Sequence, residues 1–265
     1  MNNFQQSLID KFFSQSQHTS QAKCHQFVQQ VLVPHVIASS ETVIHVKSSP
    51  YQGSFSIADH HNPTSTGEHT VIQFRHEKVN LWGNTQAHEL HGQIAPLVRF
   101  QGTFDDSMYL YTSPLVPGIS YFGLLTAGEE PLSLDHRLRI VGDLAKALTH
   151  KAQFPTDHSF VNTSLSSIKL SVDCFNFRNK DLKRRITACI SKIRQQDAHL
   201  AKLPIVLTHM DMTPFNYFVD AASGQVTAIL DWDGAKDLPI GHNFHFVEHL
   251  FGYMTRHDER RLGGY

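Results

Sequence analysis

Two acids and an amide at fixed spacing constrain this chain more than any other feature: Thr208-His209-Met210-Asp211-Met212-Thr213-Pro214-Phe215-Asn216, then Ile229-Leu230-Asp231-Trp232-Asp233. Ile205-Val206-Leu207 is a short apolar β-prone run, which places Asp211 in a loop just beyond a strand. Tyr217 to Asp220 and Val226 to Leu230 also have strand character, and between them Ala221-Ala222-Ser223-Gly224-Gln225 supplies turn chemistry through Ser and Gly. A hairpin is the expected product. With the turn centred on Ser223 and Gly224, the pairing sets Asn216 opposite Asp231, and directly opposed residues have Cβ atoms about 4.5–5.5 Å apart. An amide oxygen and a carboxylate meeting there suit a hard cation such as Mg²⁺, which takes oxygen ligands and is usually held by one or two carboxylates together with substrate phosphates. Asp211, in the loop leading into the hairpin, is then in reach of a hydroxyl that must lose its proton as it attacks a phosphoryl group.

The pattern His209-x-Asp211-x4-Asn216, followed by Ile229-Leu230-Asp231-Trp232-Asp233 with Ala235 and Pro239 beyond it, resembles the aminoglycoside phosphotransferase and choline kinase group of kinase-like enzymes. The resemblance implies an α+β, two-lobed protein-kinase-like fold. A small β-rich N-terminal lobe with a leading helix would occupy residues 1–112 and bind nucleotide. A larger, mainly helical C-terminal lobe, residues 113–265, would carry the catalytic loop and the metal site. ATP is the implied donor, Mg²⁺ the implied cofactor, and a hydroxyl of a small molecule the implied acceptor. By the same resemblance Asp211 is the catalytic base, His209 braces the catalytic loop, and Asn216 and Asp231 are metal ligands. Asp233 reads either as an acid at the metal or as a turn residue beside Gly234.

Upstream, Thr70-Val71-Ile72-Gln73-Phe74-Arg75 looks like the central strand of the small lobe, ending in a basic residue, Arg75, that would contact nucleotide phosphates. Met108-Tyr109-Leu110-Tyr111-Thr112-Ser113 with Pro117-Gly118 looks like the strand and hinge joining the lobes. Ser48 to Ser56 would form the phosphate-cradling loop, with Gly53 as its one glycine. A helix after Arg75 should bring a carboxylate to that arginine; the register leaves Gln86 and Glu89 open, and Glu89 is the acid. The chain ends 34 residues after Asp231, where the family usually continues with substrate-pocket helices, so a truncated C-terminal lobe is expected. The likeness spans roughly residues 40–250, and its specific part is 205–240.

Composition removes other classes. With 23 Lys and Arg against 24 Asp and Glu, no global charge points to nucleic acid or an anionic membrane. No apolar run approaches a membrane span, and Met1-Asn2-Asn3-Phe4-Gln5-Gln6 lacks the basic start of a signal peptide, which makes the cytoplasm the expected location. Cys24, Cys174 and Cys189 are odd in number and widely spaced, so they read as reduced thiols. The histidines at 60–61, 88 and 91, and 242, 245 and 249 read as solvated or core residues, because no glutamate-flanked zinc motif accompanies them.

Along the chain, Phe27, Val28, Val31 and Leu32 suggest an amphipathic helix after a polar start, and residues 60–67 have the turn residues of a loop between strands. Residues 136–151 place Leu138, Val141, Leu144, Ala145 and Leu148 on one helical face. Residues 181–201 do the same with Leu182, Ile186, Cys189, Ile190 and Ile193, and Pro204 stops that helix. Two functional classes follow: a phosphotransferase acting on a small-molecule hydroxyl, or a catalytically weak kinase-fold module that binds a nucleotide or a protein without transfer.

Overall fold

The computed structural model describes residues 10, 12–14, 20–28, 47–49, 54–59, 70–105, 108–126, 132–152, 170, 172–174, 180–195, 199, 202–244 and 246–251. Gly53, Val31, Leu32, the 60–67 loop with His60 and His61, and His245 lie outside them. The chain forms two compact units, one of Met1–Ile140 with Thr213–Ala235 and one of Val141–Met212 with Lys236–Tyr265. These units are cut differently from the lobes expected on either side of residue 112.

In the first unit an antiparallel sheet has the order β1-β2-β3-β5-β4, built from Lys47–Ser49, Ser54–Asp59, Thr70–Arg75, Arg99–Phe104 (β4) and Met108–Pro114 (β5). The central pairing sets Arg75 opposite Tyr109 and Gln73 opposite Tyr111. Side chains alternate across a strand, and here the alternation decides everything about β3. Ile72 and Phe74 point into a core with Phe12, Cys24, Val28, Met108 and Leu110. Phe74 is fully buried, and such a side chain contributes about 1.5–3 kcal/mol. Gln73 and Arg75 therefore take the opposite face, together with Tyr111 and Ser113 of β5, and all four line one cleft. Cys24 belongs to the helix α1, Gln21–Phe27, whose N-terminus is capped by Ser20 accepting from the amide of Lys23 at 3.3 Å.

The helix α2, Trp82–His91, follows β3, with the Asn80 side chain accepting from the amide of Trp82 at 3.0 Å. It buries Gly83, Asn84 and Ala87. A second sheet in this unit runs β6-β8-β9, Ile119–Ser120, Tyr217–Val219 and Val226–Ile229. The β8–β9 hairpin exists as expected, but its register differs by one residue. Tyr217 pairs with Ile229 and Phe218 with Ala228, and an irregularity then brings Val219 against Val226. The turn is wound more tightly at its first half than a simple Ser223-Gly224 turn. The Asp220 carboxylate accepts from the amide and hydroxyl of Ser223 at 2.8 and 2.7 Å, which lowers its pKa, and the Asp220 carbonyl accepts from Gly224, a residue with φ +69°. In consequence Asn216 faces Leu230, whose amide donates to the Asn216 carbonyl at 2.7 Å, and Asp231 lies beyond the ladder.

In the second unit β7, Ile205–Thr208, pairs antiparallel with β10, Lys236–Pro239. A helix over Lys180–Gln195, here α5, matches the expected amphipathic stretch, although Leu182 and Ile193 are exposed and Ile190 is its buried residue. The helices α3, Tyr121–Thr126, of the first unit, and α4, Leu134–Leu148, which is divided between the units at residue 140, precede it in the chain. In α4 the buried positions are Ile140, Leu144 and Leu148 at helical spacing, while Leu138, expected on that face, is exposed. A short helix over Phe246–Phe251 closes the described chain. Among the described residues no helix is long and apolar enough to cross a membrane.

Candidate active site

Asp231 is the pivot of the first unit's site. It follows Ile229 and Leu230 out of the ladder with φ +65°, in the left-handed region. A non-glycine residue there costs about 1–2 kcal/mol, and Asp and Asn are the side chains that tolerate it best. The turn re-aims the chain so that Asp231 and Asp233 both meet Arg75. Arg75 donates from Nη2 to Asp231 Oδ1 at 3.1 Å and from Nη1 to Asp233 Oδ2 at 3.3 Å. A planar guanidinium fork suits two acceptors at once. Burial, and then the neighbouring charge of Asp231, raise the carboxyl of Asp233 above its ordinary range, against the pull of Arg75. A cationic group thus already lies between two carboxylates, so this donor set fits a metal cation. Asn216, almost fully buried, sits at the end of β8.

Trp232, between the two acids, anchors the loop. Its indole Nε1 donates to the Ile229 carbonyl at 2.9 Å, its ring stacks on His91 at 5.3 Å, and its own carbonyl accepts from the amide of Ala235 at 3.0 Å. Helix α2 approaches this loop at Gly83, where an added Cβ would overlap the Trp232 carbonyl oxygen and come within 2.9 Å of the Ala235 Cβ. Glycine is required there by the close approach of two backbones.

The cleft holds about 560 Å³ of empty space, its mouth included, and Arg75, Asn84, Tyr111, Ser113, Ile229 and Asp231 are among its walls. Tyr111 is fixed in it by its hydroxyl, which accepts from the amide of Val79 at 2.8 Å. Glu89 is not part of it: the residue is exposed and accepts from Gln86 at 3.1 Å, so the carboxylates that meet Arg75 come from the hairpin and not from α2. Helix α2 instead turns Asn84 to the cleft, a residue the sequence reading passed over. Its signal was Gly83 in the first turn of a helical segment, since an interior glycine is disfavoured by about 1 kcal/mol unless something packs closely against it.

His209 and Asp211 belong to the second unit. His209 is fully buried, and its Nδ1 accepts from the amide of Asp211 at 3.2 Å, which fixes the loop just beyond β7. The Asn243 amide, in the orientation that satisfies both groups, donates to the His209 carbonyl and accepts from its amide at 3.1 Å. Met210 is 40% exposed and Asp211 beside it is exposed, between the buried His209 and the fully buried Met212.

Solved structures with this architecture include aminoglycoside and macrolide phosphotransferases. A thermostable mutant of aminoglycoside phosphotransferase APH(4)-Ia, in ternary complex with ADP and hygromycin B, matches with a TM-score of 0.56 and 15% identity, over 90% of this chain and 83% of that one. The GDP complex of aminoglycoside 2'-phosphotransferase-IIIa matches with a TM-score of 0.58 and 12% identity, over 85% and 77%. Macrolide 2'-phosphotransferase MphH from Brachybacterium faecium matches with a TM-score of 0.57 and 14% identity, over 84% and 77%. At such identities the likeness establishes the fold, which is α+β and kinase-like. No curated protein matches the sequence. The model of the phosphotransferase enzyme family, APH, matches residues 97–244, more than half of the chain, and the chain belongs to that family.

Proposed function

We propose that this chain is an ATP-dependent phosphotransferase that moves the γ-phosphoryl group to a hydroxyl of a small molecule. The observation that carries the reading is the Arg75 fork on Asp231 and Asp233 at a cleft floored by β3 and β5. Membership of the phosphotransferase family supports it, as do solved relatives bound to ADP with hygromycin B and to GDP. Asn216 and Asp231 are the residues to hold Mg²⁺, with Asp233 beside them; the cation, when bound, supplies charge neutralisation on the phosphates.

The remaining roles fall on side chains of this chain. Arg75 steadies the phosphates through its guanidinium. Asp211 accepts or orients the proton of the attacking hydroxyl, and His209 holds the Asp211 backbone through its ring nitrogen. Catalysis of this kind rests on positioning and electrostatics, since the transferred group needs little covalent help from the protein. Residues 1–112 would serve nucleotide binding and 113–265 catalysis and the metal, in the cytoplasm.

One observation favours the second reading, a nucleotide-binding module without transfer: both carboxylates are already engaged by Arg75. Mg²⁺-dependent ATP binding and slow ATP hydrolysis, measured on the wild type and on Asp231→Asn, separate the two. Hydrolysis that is lost in the variant supports the enzyme; tight ATP binding without any turnover in the wild type supports the module.

A further inference from the structure

We propose that Arg75 is a built-in counter-ion of the candidate metal site, one that withholds Asp231 and Asp233 from a bare divalent cation and releases them to a cation that arrives with phosphates. The assignment rests on the nucleotide reading of the cleft and deepens it, since it makes the ligand a metal–nucleotide complex and not the metal alone. Arg75 donates from Nη2 to Asp231 Oδ1 at 3.1 Å and from Nη1 to Asp233 Oδ2 at 3.3 Å, and its side chain is only 18% exposed. No other acid among the described residues forms an ion pair with it. Glu89 on α2 accepts from Gln86 instead.

Two carboxylates brought to one point repel each other unless a positive charge lies between them. Here the guanidinium is that charge, and it stands where a metal ion would have to act. Mg²⁺ binds carboxylate oxygen at about 2.0–2.1 Å, so an ion on Asp231 Oδ1 would lie at most about 5 Å from Arg75 Nη2. Like charges that close in a half-buried site repel strongly, so ion and guanidinium compete for the same acids. A bare cation offers Arg75 no replacement anion. A nucleotide does, because phosphate oxygens accept from a guanidinium fork as carboxylates do. Asp231 and Asp233 then turn to the cation while Arg75 turns to the phosphates, and one residue serves both partners in succession.

The test titrates the full chain with Mn²⁺ alone, as a stand-in for Mg²⁺, and follows the loss of the free-ion EPR signal without nucleotide, for wild type, Arg75→Met and Arg75→Gln. An opposite charge at ion-pair distance changes a carboxylate's affinity for a competing cation, the proton, by about 10- to 1000-fold, so both variants are expected to bind Mn²⁺ at least about tenfold more tightly than wild type. Lys78→Met removes an exposed positive charge that lies over the Phe100 ring and not on the aspartates, and is expected to leave Mn²⁺ affinity within about twofold of wild type. Asp231→Asn added to Arg75→Met should abolish the gain. Equal or weaker Mn²⁺ binding by Arg75→Met and Arg75→Gln would overturn the assignment, as would an equal gain in Lys78→Met or a gain that survives Asp231→Asn. Calorimetric titration of the wild type with ADP in Mg²⁺ keeps the two readings apart. ADP binding together with unchanged Mn²⁺ affinity in the arginine variants would overturn the counter-ion alone. A wild type that binds neither ADP nor ATP would overturn the nucleotide reading and the release step with it.

Discussion

Gly83→Ala is the smallest change that tests how the site is assembled. The added methyl would overlap the Trp232 carbonyl oxygen and reach within 2.9 Å of the Ala235 Cβ, closer than carbon atoms pack. The oxygen cannot swing aside freely, because it accepts from the amide of Ala235 at 3.0 Å, and the indole on the same residue is pinned to the Ile229 carbonyl. Overpacking of this kind costs about 1–3 kcal/mol, and the rigid contact places it at about 2–3. At about 2–4 °C per kcal/mol for a chain of this size, the melting temperature should fall by about 4–12 °C. Gly142→Ala is the matched control. Gly142 is exposed on α4, nothing lies within 4 Å of its added Cβ, and the substitution should raise stability by about 0.5–1 kcal/mol. Thermal melts of both variants by circular dichroism decide the point. A Gly83→Ala protein that melts with the wild type would refute the close approach of α2 to the Asp231 loop.

Arg75→Met leaves Asp231 and Asp233 facing each other without a cation; a loss of about 1 kcal/mol at neutral pH is expected, kept small by solvent screening because the Asp233 side chain is 38% exposed. Urea melts at low and high salt would measure it, and a loss that does not change with salt counts against an ion-pair origin. Asp231→Asn should keep the fold, since Asn tolerates φ +65°, and Asp231→Gly should change stability little, the relief of about 1–2 kcal/mol of left-handed strain being offset by the lost ion pair with Arg75, while abolishing Mg²⁺-dependent nucleotide binding. Burial, and after it the charge of Asp105, pushes the Cys24 thiol up from 9.0 to about 12. The folded form holds its proton longer than the unfolded chain, so this stabilisation is complete below about pH 9 and is lost as pH rises from there towards 12. In native protein at pH 8, a thiol reagent should accordingly label the exposed Cys174 and Cys189 and spare Cys24; rapid labelling of all three would contradict the burial of Cys24.

The parts of the fold that were legible in the sequence are those set by local periodicity. Ile72 to Arg75 alternates apolar and polar residues, and Thr70–Arg75, which resembles the family's central strand, becomes that strand with the bounds expected of it. The strand before Asp211 and the hairpin after it follow from short β-prone runs broken by turn residues. The register differs by one residue from a turn centred on Ser223 and Gly224 because Asp220 folds back on Ser223 and an irregularity follows Phe218. Partnerships across long sequence distance were the least legible. Nothing local ties Arg75 to residues 156 and 158 positions away, and helix periodicity alone could not say that Asn84, and not Gln86 or Glu89, faces the cleft. The exposed apolar residues Leu182 and Ile193 show the same limit in reverse, since an amphipathic stripe names a face without naming what covers it.

The central claim, phosphoryl transfer with Asp211 as the base, is tested most directly by following transfer from γ-labelled ATP, with Mg²⁺, to a panel of choline, sugars and aminoglycosides, for wild type and Asp211→Asn. Loss of a general base removes about 10²–10⁴-fold in rate. The expected result is a labelled product with at least one acceptor in the wild type, reduced by that factor in Asp211→Asn, with ATP affinity unchanged. Transfer at the wild-type rate in Asp211→Asn, or ATP binding with no transfer and no hydrolysis in the wild type, would contradict it.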